Sequence, residues 1–275
     1  MQGSVDLYNH SYGRFSSAAE EAVRRETYGE DIGQSSWMTA EEWLHVADEA
    51  AVRPGTQILD VGSGSGGPAL YLVERFGCHV TGVDINEHGV GNAKRLAQAR
   101  GLAERADFQV VDAHRPLPFP DASFDAILSN DAMCHIDGRL AVLRDWQRLL
   151  RPGGRIAFTD ALVVTGQVTH EEVAARSSIG FYVFVPPGEN ERLLAEAGFT
   201  LVRVEDLTDG AAVLAERWRD ARLQHRDALI EEEGESNFQG LQRFLDCVHR
   251  VSVERRLSRF LYVAARSADT PVSTV

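Results

Sequence analysis

Residues 58–70 read ILDVGSGSGGPAL, an apolar run that ends in a group of glycines and continues into a helix-compatible segment. The run is typical of a buried strand, and glycines after such a strand let the backbone turn sharply and approach a ligand closely. Gly62, Gly64 and Gly67 have the GxGxxG spacing of a dinucleotide fingerprint, which suits more than one cofactor. This stretch therefore predicts a strand, a ligand-binding loop and a helix.

Strand-like segments recur along the rest of the chain. They read QILDV, HVTGVDI, DFQVVD, FDAILSN, RIAFTDALVV, TLVRVEDL and RFLYVAAR. Helix-like segments separate the early ones, at residues 68–75, 88–100 and 139–150. Because strands that alternate with helices form parallel crossovers, the sequence predicts an α/β fold with a doubly wound sheet.

We expect a single domain in which further segments surround a cofactor-binding core at residues 56–163. Residues 1–50 read as two helices around a glycine-rich connector and are expected to form a lid. Residues 164–198 and 208–254 interrupt the alternation before the last strand, which is expected at 255–267, and we interpret both as substrate-cap segments. A ligand crevice is expected at the carboxyl ends of such strands.

Aromatic residues of the first cap segment are the substrate-binding candidates. They are Phe181, Tyr182 and Phe184. Aromatic side chains near a crevice favour a hydrophobic or aromatic ligand, or a cationic amine held over the rings. The alternative is that they only close the core.

Composition indicates a small-molecule partner. The chain has 275 residues, 44% of them hydrophobic, and a formal net charge of −13, which disfavours binding to nucleic acid. No segment approaches the roughly 20 apolar residues of a membrane span, and the N-terminus lacks a secretory run, so we expect a cytoplasmic protein without a membrane partner. The widely spaced Cys78, Cys134 and Cys247 predict buried thiols, with no disulfide and no metal site.

Acidic residues near the glycines indicate the class of cofactor. Asp60 precedes the glycines in the pattern Asp60-x-Gly62-x-Gly64-x-Gly66. Its carboxylate would repel a pyrophosphate but suits a cationic ligand with an ammonium and a sulfonium, which points to S-adenosylmethionine. Asp84 ends the next strand and is expected to accept both hydroxyls of a ribose, a feature that enzymes using NAD share.

A third acid follows the third strand. Asp112 is expected to accept a hydrogen bond from an adenine amino group, with Ile85 and Ala113 in apolar contact with the ring. A helix cap or an ordinary loop acid is the alternative for Asp112 alone. His114 is expected on the surface.

Five segments in order, DVGSGSG, GVDI, VVDAH, FDAILSNDAMCHI and LLRPGGRI, resemble the consecutive motifs of class I S-adenosylmethionine-dependent methyltransferases. The resemblance implies a Rossmann-like seven-stranded sheet whose last strand is antiparallel, with S-adenosylhomocysteine as the product of the cofactor. The chain is most similar to the small-molecule group that includes phosphoethanolamine, sarcosine and natural-product sugar O-methyltransferases. This similarity implies a small-molecule acceptor in secondary metabolism.

The connector, defined here as residues 28–37 (YGEDIGQSSW), resembles the cofactor-covering lid of that group. The resemblance implies that Tyr28, Gln34 and Trp37 contact the cofactor, and that Tyr28 also lies near the transferred methyl group and the substrate. Packing of the N-terminal helices is the alternative.

The segment NDAMCH after the fourth strand lies where the methyl group is expected, with Asn130 at the cofactor. Methyl transfer is an in-line displacement, and a base is required only when the nucleophile carries a proton. His135 titrates near neutrality and is the predicted base and a predicted substrate contact. The spacing from Asp131 to His135 resembles the catalytic segment of phosphoethanolamine methyltransferases, and Asp160 resembles the acid of sugar O-methyltransferases that orients the histidine or binds substrate.

Two other functions fit part of the sequence. A NAD-dependent oxidoreductase satisfies the glycine spacing and Asp84, although Asp60 and the LLRPGGRI turn disfavour it. A non-catalytic S-adenosylmethionine-binding module would be expected to show a damaged loop, which is intact here. Because His135 offers a base, an oxygen or nitrogen acceptor is preferred and carbon stays open, while Arg176 and Arg192 are too few to predict a phosphate site.

Overall fold

Seven strands form one sheet in residues 12–268, the part of the chain that this computed structural model describes. The strands are β1 (Gln57–Val61), β2 (His79–Asp84), β3 (Ala106–Val110), β4 (Phe124–Ser129), β5 (Leu150–Val164), β6 (Phe199–Asp206) and β7 (Leu257–Arg266). Their order in the sheet is β3-β2-β1-β4-β5-β7-β6. β1 to β5 pair in parallel, whereas β7 is antiparallel to both β5 and β6. The predicted seven-stranded sheet with an antiparallel last strand is confirmed.

Helices connect the strands and form the additional segments. They are α1 (Ala18–Tyr28), α2 (Ala40–Glu49), α3 (Gly67–Phe76), α4 (Glu87–Ala99), α5 (Arg139–Leu149), α6 (His170–Arg176), α7 (Glu189–Glu196), α8 (Thr208–Gln224), α9 (Arg226–Glu233) and α10 (Glu235–Val253). Ser17, Thr39, Asn86 and Thr169 each begin a helix by accepting a hydrogen bond from a backbone N–H of the first turn. In the described part of the chain, no helix is both long enough and apolar enough to cross a bilayer.

The sheet separates two hydrophobic layers. Neighbouring residues of a strand point to opposite faces, so Ile58 packs with α2, α3 and α4, while Leu59 packs with α5 and α7. A third cluster joins α1, α8, α9 and α10 around Trp37 and Trp218. All three cysteines are buried as free thiols, as predicted.

The predicted turn LLRPGGRI is part of β5 rather than a separate connection. Leu150 pairs with Phe124 and Arg155 with Ala126, so residues 151–154 form a bulge. Gly153 has φ +79°, which favours glycine. The bulge brings the chain from α5 into register beside β4.

The order of the strands reverses between β1 and β4. From β1 the chain proceeds outward through β2 and β3, then crosses to β4 and β5 on the other side. The loops that follow β1 and β4 therefore diverge, which opens a crevice at the carboxyl ends of these strands. Most of the predicted site residues of the core lie around this crevice.

Candidate active site

A cavity of about 350 Å³ lies at this reversal point. Its wall includes residues 60–65, 83–86, 111–114, 130–132 and 134–136, which lie at the carboxyl ends of β1, β2, β3 and β4 or in the loops that follow them. The rest of the wall comes from the connector and from the segments around α6, α8 and α10. This size is within the range of small-molecule sites.

The structure brings most of the predicted site residues to this cavity. Those that line it are Trp37, Asp60, Gly62, Gly64, Asp84, Ile85, Asp112, Ala113, Asn130, Asp131, His135, Phe181 and Tyr182. Those outside its wall are Tyr28, Gln34, Gly66, Asp160 and Phe184.

The glycine loop is held from below by Asp84. One carboxylate oxygen accepts the N–H of Gly64 at 2.8 Å and the other accepts the N–H of Asn86 at 2.8 Å. Burial raises the pKa of Asp84, and these two backbone donors oppose that effect. Asp84 therefore fixes the loop in addition to its predicted contact with a ribose.

Two glycines of the loop serve packing rather than a ligand. Gly66 has φ +76°, and a Cβ there would lie 2.6 Å from the Cβ of Ala93, away from the cavity. A Cβ on Gly67 would lie 2.0 Å from the carbonyl oxygen of Ile32 in the connector. The prediction that Gly66 contacts the cofactor is therefore not supported, and the last fingerprint glycine lets the connector lie directly on the loop.

Asp60 is 5% exposed beneath the loop and lines the cavity. Burial raises its pKa to about 7, and the neighbouring charge of Asp84 adds to the effect. A positively charged ligand in the cavity would favour the ionised carboxylate. This environment fits the predicted preference for a cationic cofactor.

The wall beyond β2 and β3 is apolar with one acid. Ile85 is 65% exposed, which is unusual for a large apolar side chain. Asp112 accepts the N–H of His114 at 3.0 Å and lies 2.8 Å from its Nδ1, and these contacts hold the pKa of Asp112 below its ordinary value. His114 itself lines the cavity, so the expectation of an ordinary surface position was incomplete.

Asp131 links the loop after β4 to the connector. It has φ +51°, and its carboxylate accepts the backbone N–H of Trp37 at 3.0 Å and Nε of Arg259 at 2.8 Å. Arg259, 1% exposed, also donates to Glu42 at 2.6 Å and to Asn130 at 3.0 Å. These contacts fit a positioning role for Asp131. The sequence offered one signal for this network, a charged residue beginning the apolar strand RFLYVAAR.

His135 ends a short 3-10 helix, Met133–His135, on the cavity wall. Its Nδ1 lies 2.9 Å from the carbonyl oxygen of Phe181, and because a carbonyl only accepts, Nδ1 carries the proton and Nε2 has the lone pair. Burial lowers the pKa of His135, and the positive charge of Arg176 acts in the same direction. The ring is therefore neutral at pH 7, the form in which Nε2 can accept a proton.

Asp160 does not have the contacts predicted for it. Its fully buried carboxylate accepts from Nη1 of Arg139 at 2.5 Å, from Nδ2 of Asn190 at 3.0 Å and from the N–H of Leu162 at 3.0 Å. These donors hold Asp160 in a joint between β5, α5 and α7. The prediction that Asp160 orients His135 or binds substrate is therefore not supported.

Three further candidates shape the surroundings of the cavity. The hydroxyl of Tyr28 donates to the carbonyl of Ser36 at 2.9 Å, and Gln34 accepts the N–H of Ile32 at 2.8 Å. Phe184 packs in a cluster with Leu162 below the site. The contacts shown for these three residues are with other protein residues, as expected if they pack the structure rather than bind the cofactor or substrate directly.

Three residues of the helices complete the cavity wall. Sequence reasoning missed Trp218 and Phe244, and it considered Arg176 only for a phosphate site. Arg176, Trp218 and Phe244 line the wall together with Trp37. The ring of Trp37 lies 5.8 Å from that of Trp218 and 6.2 Å from that of Phe244. These residues come from α6, α8, α10 and the connector, so no local motif connects them.

Among residues 12–268, no group of three or more His, Cys, Asp and Glu side chains could hold a metal ion. Metal-independent activity stays a prediction.

Comparisons with known proteins agree with this geometry. A family model described as a methyltransferase domain matches residues 59–158. The chain is 33% identical over 220 residues to 27-O-demethylrifamycin SV methyltransferase of Amycolatopsis mediterranei, covering 73% of this chain and 80% of that protein. It is 30% identical over 189 residues to phosphoethanolamine N-methyltransferase 1 of Arabidopsis thaliana, covering 68% of this chain but 37% of that relative. The chain thus spans well under half the length of some curated relatives that it matches.

A solved structure with the same fold is the cyclopropane synthase MmaA2 from Mycobacterium tuberculosis. It superposes with a TM-score of 0.81 at 16% identity, covering 94% of this chain and 96% of that chain. The glycine spacing left NAD and S-adenosylmethionine open as cofactors. The methyltransferase relatives decide for S-adenosylmethionine, because the family uses it. The chain belongs to the class I S-adenosylmethionine-dependent methyltransferases.

Proposed function

We propose that this chain transfers a methyl group from S-adenosylmethionine to an oxygen or nitrogen atom of a small-molecule acceptor, with His135 as the base. The observation that carries this proposal is the neutral imidazole of His135, whose tautomer the carbonyl of Phe181 fixes at 2.9 Å on the cavity wall. The relative named for a rifamycin substrate supports a role in secondary metabolism. A cytoplasmic location is part of the proposal.

The residues on the cofactor side fit S-adenosylmethionine, which supplies a methyl group on a positively charged sulfur. Asp60 would face the cationic part of the ligand, and its buried position on the cavity wall beside the charge of Asp84 supports this role. Asp84 would accept the ribose hydroxyls. Ile85 would contact the adenine, and its 65% exposure supports this role.

His135 would act on the acceptor at Nε2. The new bond from the acceptor atom to the methyl carbon forms while the bond from carbon to sulfur breaks. The proton of a hydroxyl or ammonium passes to Nε2, while Nδ1 keeps its hydrogen bond to Phe181. Asp131 would act through position, because it joins the loop that carries His135 to the connector.

The described part of the predicted lid at 1–50, residues 12–50, would cover the cofactor, and the segments at 164–198 and 208–254 would form a substrate cap. Residues 1–11 of the predicted lid lie outside the described residues. Trp37 supports these roles of lid and cap because it connects the two. Its backbone N–H donates to Asp131, and its ring packs against Trp218 of α8. Enclosing the reactants excludes water from the displacement.

Two measurements test the proposal. Calorimetry with S-adenosylhomocysteine and NAD side by side should show binding of the first alone. A screen of apolar hydroxyl and amine compounds with methyl-labelled S-adenosylmethionine should then identify acceptors that gain the label. Binding without transfer to any compound would favour a non-catalytic module, and binding of NAD would contradict the cofactor assignment.

A further inference from the structure

Arg176, the last residue of α6, is a buried charge without a hydrogen-bond partner for its Nη1. The residue is 2% exposed and lines the cavity. A guanidinium carries five N–H donors and stays positively charged, so burying it without an anion is unfavourable. Such a group in a wall points to a ligand that supplies the missing acceptor.

The acids near Arg176 are already paired with other cations. Glu172 of the same helix binds Arg256 at 2.7 Å. Asp131 binds Arg259 at 2.8 Å, as described above. In the described chain, the neighbouring carboxylates are therefore satisfied elsewhere and leave Arg176 available.

Aromatic rings surround the guanidinium, but Nη1 still has no hydrogen-bond partner among the described residues. Its central carbon lies 4.8 Å from the ring centroid of Tyr182, 5.0 Å from that of Phe244 and 5.8 Å from that of Trp37. Such contacts with ring faces stabilise a cation in part. The guanidinium also occupies the ring faces that a cationic amine would need, which argues against a cationic amine held over these rings, the alternative considered from the sequence.

The two sides of the cavity differ in charge. Asp60, Asp84 and Asp112 lie on the cofactor side, whereas Arg176 is the only arginine or lysine among the described residues of the wall. Arg192, the other arginine considered from the sequence, is exposed and pairs with Glu189 at 2.7 Å. One cation matches one negative charge, and a phosphate would call for more donors.

We propose that the acceptor carries a single carboxylate that binds Arg176, with an apolar or aromatic body against Trp37, Trp218 and Phe244. This inference rests on the proposed function, since it names the class of acceptor for the same site. It places the charged end of the acceptor beside Arg176 and its reacting hydroxyl or amine towards His135.

The arrangement has an effect on His135. The charge of Arg176 contributes to the lowered pKa of that imidazole. A carboxylate beside Arg176 would offset part of this charge, so the base would become stronger when the acceptor is bound.

The test uses three probes of similar shape and different charge. Phenylacetate, phenylacetamide and phenyl phosphate are titrated by calorimetry into protein saturated with S-adenosylhomocysteine. Phenylacetate should bind at least tenfold more tightly than the amide and more tightly than the phosphate. Arg176→Gln should reduce the preference for carboxylate over amide to less than about twofold, while Arg192→Gln, a change on the surface, should leave it unchanged.

The affinity for S-adenosylhomocysteine separates this inference from the proposed function, because loss of that binding in the unaltered protein contradicts the function itself. If the cofactor product binds but phenylacetate binds no more tightly than the amide, including the case in which neither binds, the inference is wrong. Tighter binding of phenyl phosphate, or a preference that survives in Arg176→Gln, also overturns it. Since the first comparison uses the unaltered protein, the test holds even if the variant does not fold.

Discussion

The two sides of the cavity, which we propose bind the cofactor and the acceptor and which are named the cofactor side and the acceptor side, are built in different ways. The cofactor side consists of the ends of neighbouring strands, and backbone N–H groups hold two of its aspartates, Asp84 and Asp112. The acceptor side consists of aromatic rings from separate helices around the single buried charge of Arg176. A rigid sheet thus determines the first side, whereas tertiary packing of helices determines the second.

His135 stands where the two sides meet, and its replacement should have the largest effect. We expect His135→Ala to lower turnover by about two to four orders of magnitude, because a positioned base contributes that much. The affinity for S-adenosylhomocysteine should stay within twofold. The measurement is single-turnover methylation of an acceptor found in the screen.

His170→Ala is the matched control, since His170 is an exposed histidine at the start of α6. If turnover of His135→Ala equals that of the control, His135 is not the base. His135 would then only fill space where the two sides meet.

Arg259 connects the sides, because it binds Asp131, Glu42 and Asn130. Arg259→Met should lower the free energy of unfolding by about 3–5 kcal/mol, since removal of one partner leaves buried carboxylates uncompensated. Urea unfolding measures this loss. Proteolysis should also become faster in the connector, because the hydrogen bond from Trp37 to Asp131 loses its support. An unchanged rate of cleavage there would show that the connector is held independently.

Asp60 should make the cofactor side less stable at high pH. Burial raises the pKa of Asp60 from its ordinary value of 3.8 to about 7. Between pH 3.8 and about pH 7, the folded protein therefore holds a proton that the unfolded chain releases. The free energy of unfolding therefore falls as pH rises through this window. Asp60→Asn should be more stable than the unaltered protein at pH 8 by about 2–4 kcal/mol, at roughly 1.4 kcal/mol per pKa unit, and nearly equal at pH 4. Thermal unfolding at both pH values measures the difference, and equal stability at pH 8 would contradict the raised pKa.

The smallest expected effect concerns affinity for the cofactor. Because only the ionised Asp60 attracts a cation, binding of S-adenosylmethionine should strengthen about tenfold as pH rises from 6 to 8. Asp60→Asn should bind more weakly and show no such pH dependence. Calorimetry at several pH values provides the measurement, and a pH-dependent affinity that persists in the variant would assign the titration to another group.

The same difference explains what the sequence could predict. Short apolar and β-branched runs identified all seven strands, because residues of these types favour strands and the runs are separated by helix-like segments or turns. The location of Asp60, Asp84 and Ile85 on the cavity wall could be predicted from their positions in the sequence, since the carboxyl ends of parallel strands meet at one edge of the sheet.

The acceptor side could not be found in this way. Arg176, Trp218 and Phe244 are separated by dozens of residues, and only the packing of three helices brings them together. The contacts of Asp160 differ from those predicted for a related reason, because its partners Arg139 and Asn190 come from different helices. Gly66 and Gly67 matched a ligand motif, yet their close neighbours are protein atoms.

Gly67 controls how the connector rests on the glycine loop. It lies outside the cavity wall, yet the space for its missing Cβ is filled by the carbonyl of Ile32. A side chain at this position would collide with the backbone of the connector, so the connector can lie on the glycine loop only while residue 67 is glycine. A substitution here would therefore disturb the seating of the connector while every residue of the cavity wall keeps its identity.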